Sequence, residues 1–463
     1  CVLKYELIKI IVVSYNYSIM VLNMFFNKEL IKKVFKLTFP MIITELAHSI
    51  YSLTDTFFVK GLGADALAGV GLASYLFWIF MVFITMFNSG LTIYVSQAYG
   101  AGENIKAKKG LSEVLLYGSL FSLFIGLIGY WIGFKILILL NGELNTVVYN
   151  AYDYFKWRVI SLPIVFAVGS IDSTLIAIGW TIKSMKANVI GVLLNIILDP
   201  IMIYGYYGFP RMGVEGAALA TIFSNIATGF INTYYLLKSG LKPEFVIETG
   251  ILNRILNLGI PIAVERAVFS IGNNLYVAII ARCGSIALAA HNIGLRIESL
   301  IYMPGFAFSI AASVLVGQAI GNSDYVYAKK IGREVVKTST LFMTILGIII
   351  AIVSRYVVEP FSPNEDVRML ASTYLILAGL SETGLALSMS TSGVIRGSGN
   401  TRMPLLINVF SFYVIRLLVA FSLVNSIGVI GAWIGMFIDL YVRGLIIYVV
   451  FEKYFYKLAR RVI

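Results

Sequence analysis

An amide and an acid stand four residues apart in the apolar run Leu193-Leu194-Asn195-Ile196-Ile197-Leu198-Asp199-Pro200. On a helix, positions i and i+4 share a face. An ionised acid at the centre of a membrane helix costs roughly 2.5–3.5 kcal/mol or more, so it is functional by default. The rival reading of Asp199 alone is a capping or hydrogen-bonded acid. Glu45, Asp55 and Asp172 lie in similarly apolar surroundings, with no Lys or Arg expected at comparable depth in this half of the chain. Such a cluster holds protons, binds a cation or faces a wet cavity. Each outcome suits a cation-coupled site, and Asp55 and Asp199 are expected to share one. Oxygen ligands suit a hard cation such as Na+, here at Asp55, Asn195 and Asp199, as well as a proton.

The element carrying Asp55 has a polar stripe. Seven residues turn a helix through about 700°, so His48 and Asp55 lie on one face, with Ser52 between them and Glu45 nearby. His48 is either a proton relay or a hydrogen-bonded helix contact. Pro40 lacks an amide hydrogen and bends or weakens this helix, which makes it a candidate hinge.

The composition says where these helices sit. The 463 residues are 59% hydrophobic and 13% charged, with mean hydropathy +0.87. Soluble domains carry about 25% charged residues; this chain reads as an all-α integral membrane protein. About twelve apolar runs are long enough to span, approximately 37–59, 66–98, 109–140, 147–178, 187–206 and 213–237, then 255–281, 287–320, 326–355, 366–395, 402–425 and 428–452. They are too long and too uniformly apolar for barrel strands. The net charge of +12 reads as a bias of basic residues toward one membrane face, not as nucleic-acid binding. Roughly 24 of the 36 Lys and Arg fall in the N-tail, the even-numbered loops and the C-tail, which predicts both termini cytoplasmic in the cell membrane. Cys1, Cys283 and two histidines give no disulfide framework and no zinc or haem set. Residues 1–34 are an interfacial or cytoplasmic segment, or lie partly upstream of a true start at Met20 or Met24.

An internal repeat organises the rest. At an offset of 221, Pro40 falls on Pro261, Ala66-Leu67-Ala68 on Ala287-Leu288-Ala289, Gln97 on Gln318 and Gly100 on Gly321. At 220, Asn188 falls on Asn408. Two six-helix bundles are expected at 35–240 and 255–463, joined by a linker at 241–254. Six is even, so the copies are parallel repeats, a transporter architecture. The repeats also act as a control: Asp55 faces Tyr276 across the repeat, Asp172 faces Ser392, Asn195 faces Ile415 and Asp199 faces Val419. The second half carries Glu265, Glu298, Glu382 and Asp439 together with Arg266, Arg296, Arg416 and Arg443. Structural ion pairs are the plain expectation there, and a proton route along Glu265 or Glu298 is the alternative.

An ordered set of motifs adds a resemblance. It comprises Pro40…Tyr51-x-x-x-Asp55-Thr56, Val95-Ser96-Gln97-Ala98-Tyr99-Gly100-Ala101-Gly102, Asn195-x-x-Leu198-Asp199-Pro200 closing helix 5, Ala289-Ala290-His291, Arg296-Ile297-Glu298-Ser299-Leu300 and Gly393-x-x-Arg396-Gly397-x-Gly399-Asn400-Thr401. Over about residues 35–455 it resembles the multidrug and toxic compound extrusion (MATE) family, most of all its archaeal and DNA-damage-inducible branch. The resemblance implies a V-shaped pair of bundles that exports amphipathic, often cationic compounds, driven by H+ or Na+ entry. It implies a cation site of Asp55, Asn195, Asp199 and Thr221, with Tyr51 and Tyr154 beside it and Pro40 as a gating element. Asp172 stands where the family commonly has Asn, and would add a third carboxyl group. The acids that another branch carries in its second bundle have no clear match; Glu265 and Glu382 fall elsewhere and join Arg296 and Glu298 in a secondary charged network.

The expectation is therefore an antiporter working by alternating access, as a monomer among lipids, with small-molecule substrates and no cofactor beyond the coupling ion. The alternative is a flippase for lipid-linked or other amphiphiles. No His-Glu-x-x-His, aspartate-pair or P-loop pattern supports an enzyme.

Overall fold

The computed structural model describes residues 27–244, 250–362 and 364–463. Met20, Met24 and residues 245–249 of the expected linker lie outside the described residues. The described chain makes twelve helical passes. They are α1 (Lys28–Lys60), α2 (Ala64–Gly100), α3 (Asn104–Asn141), α4 (Thr146–Ile160 and Leu162–Ala177), α5 (Thr181–Tyr204) and α6 (Gly213–Lys238). Then come α7 (Ile251–Ala281), α8 (Ser285–Gly321), α9 (Tyr325–Phe361), α10 (Glu365–Gly397), α11 (Arg402–Ile427) and α12 (Val429–Leu458). Ten are long and apolar enough to span alone, and α4 does so as a bent pair. With 33 residues, α1 is about 50 Å long at 1.5 Å per residue, ample for a crossing; the polar stripe makes it less apolar than the rest.

Breaks in the helices have local causes. The arms of α4 meet at 52°, where Pro163 has no amide hydrogen to offer the carbonyl of Val159. Wider π turns interrupt α3 at Val114–Gly118 and α11 at Ser411–Leu417. Pro200 does not end α5. The helix runs on to Tyr204 and stops at Gly205, whose φ of 78° is left-handed. Asp199 therefore lies inside the helix, which removes the capping reading.

The two halves exchange segments. Leu30, Val34, Leu37, Met41 and Ile42 of α1 pack in the core formed by α8, α9, α10 and α12, while Val59 at the far end packs in the first-half core. Ile251, Ile255, Leu258 and Ile262 of α7 do the reverse, packing in the first-half core, and Tyr276 and Ile280 return to the second half. Each helix changes sides near its proline, Pro40 or Pro261. The packing boundary thus falls inside α1 and α7, whereas the repeat alone put both helices wholly in their own bundles.

The halves close along a seam built on small residues. A Cβ on Gly90 would lie 2.2 Å from the carbonyl oxygen of Ile255, and one on Gly259 would lie 1.8 Å from that of Met86. Gly100 abuts Gln318, and its repeat mate Gly321 abuts Gln97. The glutamines then cross: Gln97 Nε2 donates to the Gly397 carbonyl at 3.1 Å, and Gln318 Nε2 donates to the Ala177 carbonyl at 2.8 Å. The irregular segment after α12 reinforces the first clasp, with Val462 N donating to Gln97 Oε1 at 2.8 Å. Beside it, hydrogen bonding and charge from Lys106 and then Arg461 hold the Glu103 carboxyl below its ordinary range.

Gly100→Ala places a methyl group 2.0 Å from a backbone oxygen of the other half. A loss of about 1–3 kcal/mol is expected from such overpacking, read as a lowered unfolding midpoint of the purified protein. Gly71→Ala, with open space around it, is expected to leave the midpoint unchanged or raise it.

Candidate cation site and central cavity

The acids of the first half form two groups, not one. In the first, Asp55 of α1 is buried and its Oδ1 has no hydrogen-bond partner among the described residues. Asn195 Nδ2 donates to Asp199 Oδ1 at 3.3 Å. That leaves Asn195 Oδ1 and Asp199 Oδ2 buried without donors. Asp55 is within electrostatic reach of Asp199, Tyr51 and Tyr154. The Tyr51 hydroxyl lies 2.9 Å from that of Thr221, which donates to the Ala217 carbonyl at 3.0 Å, so Tyr51 is the donor to Thr221. Three buried oxygens thus lack a hydrogen-bond donor among the described residues. Each such orphan costs about 1–3 kcal/mol. Two carboxylates and an amide are hard oxygen donors that fit a proton or Na+ and suit a soft transition metal poorly.

The expected absence of a base at this depth is corrected by Arg158 of α4. Its guanidinium lies over the Phe77 ring at 4.5 Å and near the Tyr154 ring at 5.9 Å, and it is within electrostatic reach of Asp55. Its Nε and Nη1 are buried without hydrogen-bond acceptors among the described residues. Tyr154 and Arg158 stand at i, i+4, the signal in the sequence that could have found it.

Asp172 is also corrected. Its Oδ1 accepts from Ser184 Oγ at 2.6 Å, Asn188 Nδ2 at 3.0 Å and Asn232 Nδ2 at 3.1 Å. It is the centre of a separate hub of three donors to one oxygen, and none of these donors belongs to the Asp55 group. The second half has the same hub with its acid on another helix. Asn408, the mate of Asn188, donates to Glu265 Oε1 at 2.7 Å and to Ser392 Oγ at 3.3 Å. Ser392 is the mate of Asp172, so the carboxylate has moved to α7. His48 is exposed.

The second-half ion pairs are only partly as expected. Asp439 holds Arg416 at 2.9 Å and Arg443 at 3.3 Å. Glu265 pairs with Arg396, at 2.7 Å to both oxygens, and not with Arg266. Glu298 accepts from the Tyr374 hydroxyl. Both oxygens of Glu382 are buried with no partner among the described residues, and Arg296 is exposed and makes no ion pair among them. At the place of Asp55, Tyr276 donates to the Ala432 carbonyl at 2.8 Å.

Between the halves lies a cavity of about 770 Å³. Its first-half wall, from α2 and α4, is uncharged and includes Trp78, Met81, Asn88 and Ser173. Every charged lining residue comes from the second half. Asp55, Asn195 and Asp199 do not line it.

Two sets of six helices around a shared cavity define a multi-pass membrane transporter. The model of the MatE family matches residues 40–201 and again 261–422, starting at the two crossing prolines, and the chain belongs to that family. It is 32% identical over 434 residues to a probable multidrug resistance protein NorM of Thermotoga maritima, covering 90% of each chain. It is 25% identical over 407 residues to a probable multidrug resistance protein YoeA of Bacillus subtilis, covering 86% of this chain and 88% of the other. The fold matches that of the Vibrio cholerae MATE transporter VcmN in its bent form, with a TM-score of 0.87, 20% identity and coverage of 93% and 98%. The chain is a membrane transporter of that family, whose members are not enzymes.

Asp439→Asn leaves Arg416 and Arg443 without their shared counter-charge. A loss of about 3–5 kcal/mol is expected, measured by denaturation of the purified protein. Asp55→Asn removes a charge with no direct partner and is expected to preserve stability.

Proposed function

We propose that this protein is an H+- or Na+-coupled antiporter that exports amphipathic drugs and toxic organic compounds by alternating access. The observation that carries the reading is the set of three unpartnered buried oxygens on Asp55, Asn195 and Asp199. Tyr51, Tyr154 and Thr221 complete its wall, and Arg158 is the positive charge a coupling ion must compete with. An ion entering from outside neutralises the carboxylates, α1 responds about Pro40, and the halves rock at the seam. The membrane potential contributes about 2.3 kcal/mol per charge per 100 mV. The bias of basic residues toward one set of loops supports both termini being cytoplasmic, with the protein in the cell membrane. The arginines of the cavity favour a second reading, a flippase for amphiphiles, over what the acids alone suggested.

The test is uphill efflux from reconstituted vesicles under an imposed proton or sodium gradient. Wild type should respond to one of them, and Asp55→Asn and Asp199→Asn should lose uphill transport while remaining folded. Full uphill transport by Asp55→Asn overturns the ion site, and indifference of wild type to both gradients overturns antiport.

A further inference from the structure

The charges that line the central cavity do not balance. They are Arg266, Arg396, Arg416 and Arg443 against Glu265 and Glu298, with His291 beside them. Most are committed elsewhere. Arg396 is held by both oxygens of Glu265. Arg416 and Arg443 share Asp439 behind the wall, and the Tyr374 hydroxyl donates to Glu298. Arg266 is different. It is exposed in the cavity and makes no ion pair and no hydrogen bond among the described residues. Its neighbours in the electrostatic field are Arg396, Glu265 and Glu45 of α1. Of the two carboxylates, Glu265 is already spent on Arg396 and Asn408, and Glu45 is not part of the cavity lining and makes no ion pair with Arg266 among the described residues.

A guanidinium with a free planar fork recognises a carboxylate, sulfonate or phosphate through two parallel N–H···O bonds. The walls near it offer a different surface. Trp78, Met81, Phe269, Tyr302 and Phe306 line the same cavity, enough apolar and aromatic area for the body of a drug-sized molecule. The opposite wall is uncharged among the described lining residues.

We propose that the cavity takes amphiphiles through one anionic group held at Arg266, with the apolar body against Trp78, Met81 and Phe269. This rests on the cavity being the transport cavity, and it departs from the cationic substrates that the family resemblance implies. The shared chemistry is a single anionic head on an apolar body, whether a soluble organic anion or a lipid.

Binding to the purified full-length protein tests it apart from coupling. The probes are dansyl-6-aminohexanoate, which is anionic, and the monodansyl amide of 1,6-diaminohexane, which is cationic, read by energy transfer from tryptophan. Wild type should bind the anion about tenfold tighter or better. Arg266→Gln should weaken the anion about tenfold and leave the cation unchanged, and Arg266→Glu should invert the preference. Unaltered circular dichroism and melting of the variants exclude misfolding as the cause. Displacement of the anionic probe by dihexanoyl phosphatidylglycerol, but not by the phosphatidylcholine analogue, supports the site and marks a lipid as its source. Displacement by free naphthalene sulfonate alone supports it with soluble anions as the source. Equal binding of both probes by wild type, preference for the cation, or an Arg266→Gln variant indistinguishable from wild type overturns the proposal. None of these outcomes bears on whether Asp55 couples an ion, which the efflux assay decides.

Discussion

The exchange of helix ends between the halves is the constraint on which the structure depends. Through Ile42, α1 packs in the core of α8, α9, α10 and α12; through Ile262, α7 packs in the opposite core. Neither half can move without dragging part of the other. Proline sits where this matters, because the backbone there already lacks one hydrogen bond and bends at lower cost than elsewhere. The glycine seam and the crossed glutamines add the second requirement. Backbones that approach this closely make many van der Waals contacts, yet the hydrogen bonds that tie them are few and neutral. Such a joint closes firmly and still opens without separating buried charges.

Much of this was legible in the chain. The offset of the repeat, the twelve passes and the shared face of Asn195 and Asp199 all follow from local periodicity, which a helix converts directly into geometry. The asymmetry between the halves singles out Asp55 as an expected site residue, and its mate Tyr276 makes an ordinary backbone contact.

What was not legible depends on which helices meet. Asp172 looked like a third acid for the cation site because its mate is Ser392. The structure shows two equivalent hubs around Asn188 and Asn408, with the acid supplied by α4 in one and α7 in the other. A position-by-position comparison of repeats cannot see a group that keeps its place in space while changing its place in sequence. Arg158 was missed for a related reason: it lies near a helix bend, between a Tyr and an apolar wall, where a count of charges by depth misjudges it. Glu382 is the reverse case, an acid of the half that carries the arginines, yet its oxygens meet no partner among the described residues.

The separation of Asp55, Asn195 and Asp199 from the cavity lining has a consequence for how such proteins diversify. On the proposed reading, fuel and cargo are handled by different walls of the molecule and communicate only through the bend of α1. Substitutions around Trp78, Phe269 or Arg266 can then retune which compounds are carried without disturbing the ion chemistry. Selection by a new toxin would act on one set of residues and leave the engine intact.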